Sequence, residues 1–542
     1  MKKTLYICSL ILVLILSGCT DFLDTKPLSF TSISNFYRNQ DDAELAITGC
    51  YGLVGSSYAV NYRTGLFLIG DVGTDEIISN PYSKPDPESN MDQFLFGRIV
   101  KSNLNIKDIW ARMYTGLYSL NLLLDKIDGI EIDKASRKAE IKAEAMFLRG
   151  WHYMYLGMIF GGVPVYTTVP QEINKRRNTL EEVMKQSISD FQYAYDNLPT
   201  TKLLDSGKAS KWAAAGYLSK LYCYLASCKK YEVGKTLNFP LNSFEWVDID
   251  NYYQKADTLT ASIISQSGLS LTSDYRLLFC EGSTERQKEE CLFSLSPSIQ
   301  KKIGFGLMYY LLPPGASLGG GWGTCRPTQE VYSRYDTLYD ARSHWVVGGL
   351  GHQTTVELID NQVYYKPTKL KLVNGEAIDG DYSVNKFRIL KLESKHDDVY
   401  YGNYPLLRLA DIYLLRAEIL AHINGDEAGR EILKIVRNRA LIKSRSTDIT
   451  KLQTSYRKTD FIQELLDERS RELCFEQQRK FDLIRFNRYQ STIKSLSLSF
   501  GVWNISGALQ LVANITDKKI WCPIPEEDEI ANPNLKPNNP GY

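Results

Sequence analysis

Apolar residues recur at spacings of three and four over much of the chain, which places them along one face of successive helices. Ala43, Ala46, Ile47 and Cys50 mark a helix over 41–53, with Asp41-Asp42 at its electropositive start. Ile109, Met113, Leu117 and Leu120–Leu124 mark a second, and Ile141, Ala145, Leu148, His152, Tyr155 and Ile159 a third. Phe160-Gly161-Gly162-Val163-Pro164 stops that third helix, because glycine reverses the chain and proline forbids continuation. Thr179-Leu180-Glu181-Glu182 reads as a capping sequence opening a helix over 179–197. Trp212, Ala213, Tyr217, Leu221 and Tyr224 carry another over 209–230, and a further one spans 251–267.

The pattern then changes. Residues 280–400 are rich in glycine, proline and aromatics, with short alternating runs such as Gln362-Val363-Tyr364-Tyr365. Helical spacing returns over Tyr404–His422, then after an Asn424-Gly425 turn over Glu427–Ala440, over 458–478 and over Phe481–Tyr489. Residues 55–106 and 232–250 read as loop-rich, and the proline-rich tail from Trp521 to Tyr542 as extended. The fold class is therefore mainly α, with helices of similar length in tetratricopeptide-like hairpins and a loop-rich, aromatic-rich insert; no strict 34-residue repeat is visible.

The chain opens differently. Lys2-Lys3, the apolar run Leu10–Ile15 and the small residues Ser17-Gly18 form a secretory signal over 1–18, too short for a membrane span of about 20 residues. Leu16-Ser17-Gly18-Cys19 resembles a bacterial lipobox, which makes Cys19 the expected site of lipidation; several acyl chains on one residue hold a protein stably at a membrane. Residues 19–30 would then be a lipidated tether, 31–270 an N-terminal helical region, and 271–542 a C-terminal region packed with it as one unit.

Charge adds little. The 64 basic and 63 acidic residues give a net charge of +1, so no field-driven partner such as nucleic acid is implied. Cysteine says more: Cys223 and Cys228 sit in an apolar helical stretch and read as buried small hydrophobes. Cys280 and Cys291 flank a polar segment and could form a disulfide in an oxidising compartment. No paired CxxC units and no HExxH are present, so neither a metal site nor another cofactor is expected.

Four ordered segments carry a resemblance. RGWHYMYLGMIFGGVP (Arg149–Pro164), YPLLRLADIYLLRAE (Tyr404–Glu418), LDERSRELCFEQQRKFDLIR (Leu466–Arg485) and a tail with Ile524-Pro525, Asn532-Pro533-Asn534-Leu535 and Asn538–Tyr542 resemble the motifs of SusD/RagB proteins. With the lipobox and Asp21–Asp24 the likeness spans essentially the whole chain. It implies a SusD-like fold and a surface-exposed outer-membrane lipoprotein that caps a TonB-dependent, SusC-like transporter. The cargo it implies is a nutrient oligosaccharide, or in the alternative a peptide, captured without catalysis. At Gln477-Gln478 the chain departs from the family, which more often has a glycine before the arginine; the departure is expected to alter a local turn rather than the function.

Candidate binding residues come from the loop-rich stretches, where recognition concentrates. Trp322 lies in a glycine-rich run and either stacks on a sugar ring or packs inward to pin its loop. Asp71, Asp75 and Tyr82 are candidates for hydrogen bonds to hydroxyls, although loop acids are usually just solvated. Gly315-Ala316-Ser317-Leu318-Gly319 fits the GxSxG of a secreted serine hydrolase only in outline, since Pro313-Pro314 and Gly320-Gly321 disfavour the strand–turn–helix that chemistry needs. The run Glu468, Arg469, Arg471, Glu472, Glu476 and Arg479 has the spacing of helical ion pairs, and His152 falls on an apolar stripe where a core histidine is expected.

Overall fold

The structure is a computed structural model. It describes residues 36–58, 65–79, 86, 89–201, 207–279, 284–295, 310–311, 323–349, 356–359, 362–365, 369–371, 377–379, 382–387, 403–496 and 505–542. The first part runs α1 (Gln40–Tyr58), α2 (Leu66–Gly70), β1 (Ile77–Ser79), α3 (Asn90–Leu95), α4 (Leu104–Lys126), α5 (Ala135–Phe160), α6 (Leu180–Asn197), α7 (Lys211–Lys230) and α8 (Ile249–Gln266). Polar side chains open several of these helices by taking up backbone N–H groups that have no partner in a first turn. Asn103 accepts from Asn105 and Ile106, Ser210 from Ala213 and Asp248 from Asn251. At α6, Thr179 and Glu182 complete the capping box read from the sequence.

Helices α5 and α6 pack together as a hairpin, as do α7 and α8. From Ile141 onward α5 is buried on nearly every side, and the fully enclosed Trp151 contributes about 2–3 kcal/mol of apolar burial. His152 sits in this core as expected: Nδ1–H donates to the Leu148 carbonyl at 2.7 Å, and burial pushes its pKa down to about 4.

The middle of the chain holds α9 (Thr284–Glu290), β2 (Cys291–Leu295), β3 (Cys325–Pro327), α10 (Gln329–Ser333), α11 (Arg342–Trp345), β4 (Val347–Gly349), β5 (Val356–Ile359), β6 (Gln362–Tyr365), β7 (Lys369–Lys371), β8 (Ala377–Asp379), β9 (Tyr382–Val384) and β10 (Tyr404–Arg408). All of its described strands pair two by two, antiparallel, including β10 with β2 and β1 with β3. The remainder is helical: α12 (Leu409–Asn424), α13 (Asp426–Ala440), α14 (Ile449–Tyr456), α15 (Phe461–Leu473), α16 (Arg479–Arg485), α17 (Tyr489–Lys494), α18 (Ile505–Asn514) and α19 (Glu526–Ala531). Gly425, at φ 88°, reverses the chain so that α13 packs back on α12. Helix α12 also packs on α8, and one contiguous apolar cluster runs from Ala43 to Leu535.

Two of the family-like motifs meet in space. The helix-stopping Gly161 has φ 73°, and a Cβ there would lie 2.2 Å from the Asn242 side chain. Beside it Arg177 donates to the Gly162 carbonyl at 2.7 Å and to the Pro537 carbonyl at 2.6 Å, while Asn539 donates to the Phe160 carbonyl at 2.8 Å. The tail is thus sewn to the end of α5 by buried polar side chains that satisfy otherwise orphaned carbonyls.

Several sequence expectations are corrected. The helix read over Tyr404–His422 begins as strand: Tyr404–Arg408 pairs with β2, and only from Leu409 is the chain helical. The helix read over 458–478 spans only Phe461–Leu473, because left-handed residues break it. Residues 55–106 hold α2, β1, α3 and parts of α1 and α4 within a stretch read as loop, and the extended tail carries α19. Cys291 is a buried thiol, and Cys280, its candidate disulfide partner, lies outside the described residues. Cys223 and Cys228 are buried and free, as expected.

Candidate functional site

The β1–β3 ladder sets the geometry of the site. Ile77 pairs with Pro327 and Ser79 with Cys325. In an antiparallel pair the chain leaving one strand and the chain entering the other share one end, about 5 Å apart. Ser79 and Cys325 are therefore partners at one end of the ladder. Tyr82 stands three residues beyond the first and Trp322 three residues before the second; both lie outside the described residues, as do Cys19 and Ser317.

The 71–76 segment that leads into β1 is fixed from below. Thr328 donates its backbone N–H to the Glu76 carbonyl at 3.0 Å and its hydroxyl to the Asp75 carbonyl at 2.5 Å, while capping α10 at Val331. Asp75 receives Arg479 through Nε at 2.8 Å and Nη2 at 2.6 Å, and also Arg334. Asp71 accepts the backbone N–H of Gln477 at 2.8 Å, and Ser470 donates to Glu76 at 2.6 Å. Asp71 and Asp75, offered by the sequence as ligand contacts, are both 0% exposed. Their oxygens are engaged by the protein, an arrangement that supports the ladder. Burial raises the Asp75 carboxyl, but the Arg479 and Arg334 guanidinium groups outweigh it and hold it below the usual carboxylate range. Burial and the neighbouring Glu76 carboxylate push Asp71 the other way, well above that range.

Asp71 clamps a turn that neither periodicity nor charge announces. Phe475 and Gln477 adopt φ 64° and 66°, the left-handed region that costs a residue with a Cβ about 1–2 kcal/mol. The turn passes so close to α2 that a Cβ on Gly70 would lie 2.4 Å from the Gln477 carbonyl oxygen. Gln477 occupies the place where the resembled motif has glycine, and the turn keeps a glycine-like conformation without one. The sole sequence signal was that departure.

Behind the turn, α15 presents Glu464, Glu468 and Glu472 at intervals of four, continued by Glu476. Arg437 bridges Glu464 and Glu468 at 3.0 and 2.7 Å, and Arg342 bridges Glu468 and Glu472 at 2.9 and 2.8 Å. Arg408 joins Glu290, Glu472 and Glu476 at 2.9, 2.6 and 2.7 Å, and Lys386 meets Glu476 at 2.6 Å. The charged run is a buried ion-pair lattice, as its spacing indicated. Among the described residues no group of histidine, cysteine, aspartate or glutamate could hold a metal, and no helix is long and apolar enough to cross a membrane.

Known proteins match this architecture along its length. The SusD family model matches residues 293–542, and a model described as "Starch-binding associating with outer membrane" matches residues 82–223. SusD-like protein P2 of Formosa agariphila is 24% identical over 100% of both chains. The starch-binding protein SusD of Bacteroides thetaiotaomicron is 22% identical, covering 100% of this chain and 99% of that one. A solved SusD homolog from Bacteroides thetaiotaomicron superposes with a TM-score of 0.73 at 20% identity, over 94% of this chain and 98% of the other, a likeness of fold alone. With two family models spanning both parts of the molecule and the motif-bearing segments joined in one core, the chain belongs to the SusD/RagB family.

Proposed function

We propose that this protein is a lipid-anchored, surface-exposed outer-membrane lipoprotein that captures a nutrient oligosaccharide and caps a SusC-like TonB-dependent transporter, without breaking any bond. One observation supports the binding reading: the β1–β3 register pairs Ser79 with Cys325, and Tyr82 and Trp322 each lie three residues along the sequence from that pair. Two aromatics so close in sequence to one paired strand end suit stacking on sugar rings, and the buried Asp75–Arg479 pair supports that ladder. The starch-binding description of one matching family model supports a glycan as ligand and the outer membrane as the location. Lipidation of Cys19 would keep the body beside its channel while cargo passes inward. Calorimetry against a panel of oligosaccharides and a panel of peptides tests the ligand class. Saturable heat with a glycan is the expected result; heat with peptides alone replaces the reading with the peptide-uptake alternative.

A further inference from the structure

A cleft lies beyond the Ile77–Pro327 end of the β1–β3 ladder. Beyond Pro327 the chain enters α10 and reaches Arg334, which with Asp336 forms one side of a polar hollow of about 350 Å³. Glu330 of α10, Asp467 and Arg471 of α15, and Ser455 and Lys458, at and beyond the end of α14, also line it. Helix α14 packs through a small apolar cluster of its own, Leu441, Leu452 and Tyr456, apart from the main core. The volume falls at the small end of the range that takes low-molecular-weight ligands, about 300–1,000 Å³.

The chemistry of the lining selects the ligand. Asp467 spends Oδ1 on Gln463 at 2.9 Å and on Arg334 at 3.8 Å, which leaves Oδ2 without a partner among the described residues. Lys458 is exposed, and its Nζ has no hydrogen bond or ion pair among them. Asp467 and Lys458 therefore bring opposite charges to the hollow, each with an atom open to a ligand. A ligand carrying only negative charge would meet Glu330, Asp336 and Asp467, and one carrying only positive charge would meet Arg334, Arg471 and Lys458. A sugar ring would need an open aromatic face. The Tyr456 ring is covered by the Arg471 guanidinium at 3.6 Å, and Tyr335 is buried with its hydroxyl donating to the Arg471 carbonyl at 3.0 Å.

We infer that this cleft binds a small zwitterion, a free α-amino acid or a dipeptide, with the ligand ammonium on Asp467 Oδ2 and its carboxylate on Lys458 Nζ. The inference shares no residue with the oligosaccharide reading and does not depend on it. Isothermal titration of the full-length protein with the standard amino acids and glycylglycine, with glucose as the neutral control, tests it. The expected result is saturable heat at millimolar concentration for at least one zwitterion and none for glucose. Lys458→Met and Asp467→Asn should each weaken that binding at least about tenfold, the loss of one charge-assisted contact. Lys458 is solvent-exposed, so Lys458→Met should melt with the parent and keep its glycan affinity. No saturable heat from any zwitterion would overturn the inference. So would zwitterion binding untouched by both substitutions, or glucose binding abolished by Lys458→Met.

Discussion

Asp75→Asn separates a supporting carboxylate from a ligand contact. The substitution keeps the shape of the side chain but removes the negative charge from a fully buried site where Arg479 and Arg334 converge. Arg479 then loses its charged partner and one of the two acceptor oxygens, keeping a neutral amide oxygen, its donation to the Leu466 carbonyl at 2.7 Å and a looser approach to Glu76 at 3.6 Å. Breaking a buried ion pair on one side costs about 3–5 kcal/mol, because the remaining charge stays desolvated. A chain of 542 residues gains about 1 kcal/mol per kelvin of unfolding entropy, so the melting temperature should fall by roughly 3–5 °C. Scanning calorimetry reads the shift directly, and denaturant titration gives the free energy independently. An unchanged melting temperature combined with lost glycan affinity would refute the reasoning and return Asp75 to the ligand.

Three further outcomes follow from the same physics. His152 is neutral in the fold, with a pKa of about 4 against 6.5 in the unfolded chain. The unfolded state binds the extra proton, so this contribution is whole above pH 6.5 and falls by about 3 kcal/mol as pH drops toward 4; His152→Gln should flatten that part of the stability–pH curve. Gly161→Ala forces a Cβ into a left-handed residue and against Asn242, and should cost at least about 2 kcal/mol in a denaturant titration, with the tail around Asn539 exchanging its amides faster. Cys19→Ala should leave glycan binding in solution intact yet abolish uptake by whole cells; normal uptake would mean that the transporter alone holds the protein in place.

Periodicity served where burial is one-sided or complete over several turns. The helices around His152, Thr179 and Trp212 were legible because local spacing and capping chemistry both point the same way. It failed where long-range partners decide. Tyr404–Arg408 has helical composition, but β2 supplies its hydrogen bonds and the α15 carboxylates hold Arg408, so it is strand. Likewise the turn at Phe475–Gln477 exists because Asp71, some 400 residues earlier, accepts the Gln477 N–H across a sequence separation of 406. Asp71 and Asp75 looked like loop acids for the same reason: their partners Gln477, Arg334 and Arg479 are remote in sequence, and burial by remote segments leaves no local mark. The α15 lattice was readable, since its carboxylates repeat at one helical interval.

The central claim is that Tyr82 and Trp322 capture a glycan. Its most direct test is the affinity of Trp322→Ala for an oligosaccharide that the parent protein binds, measured by calorimetry alongside the melting temperature. A loss of affinity of at least about tenfold, or about 1.4 kcal/mol, at an unchanged melting temperature is the predicted result. Unchanged affinity with a lowered melting temperature would place Trp322 in the core and contradict the account.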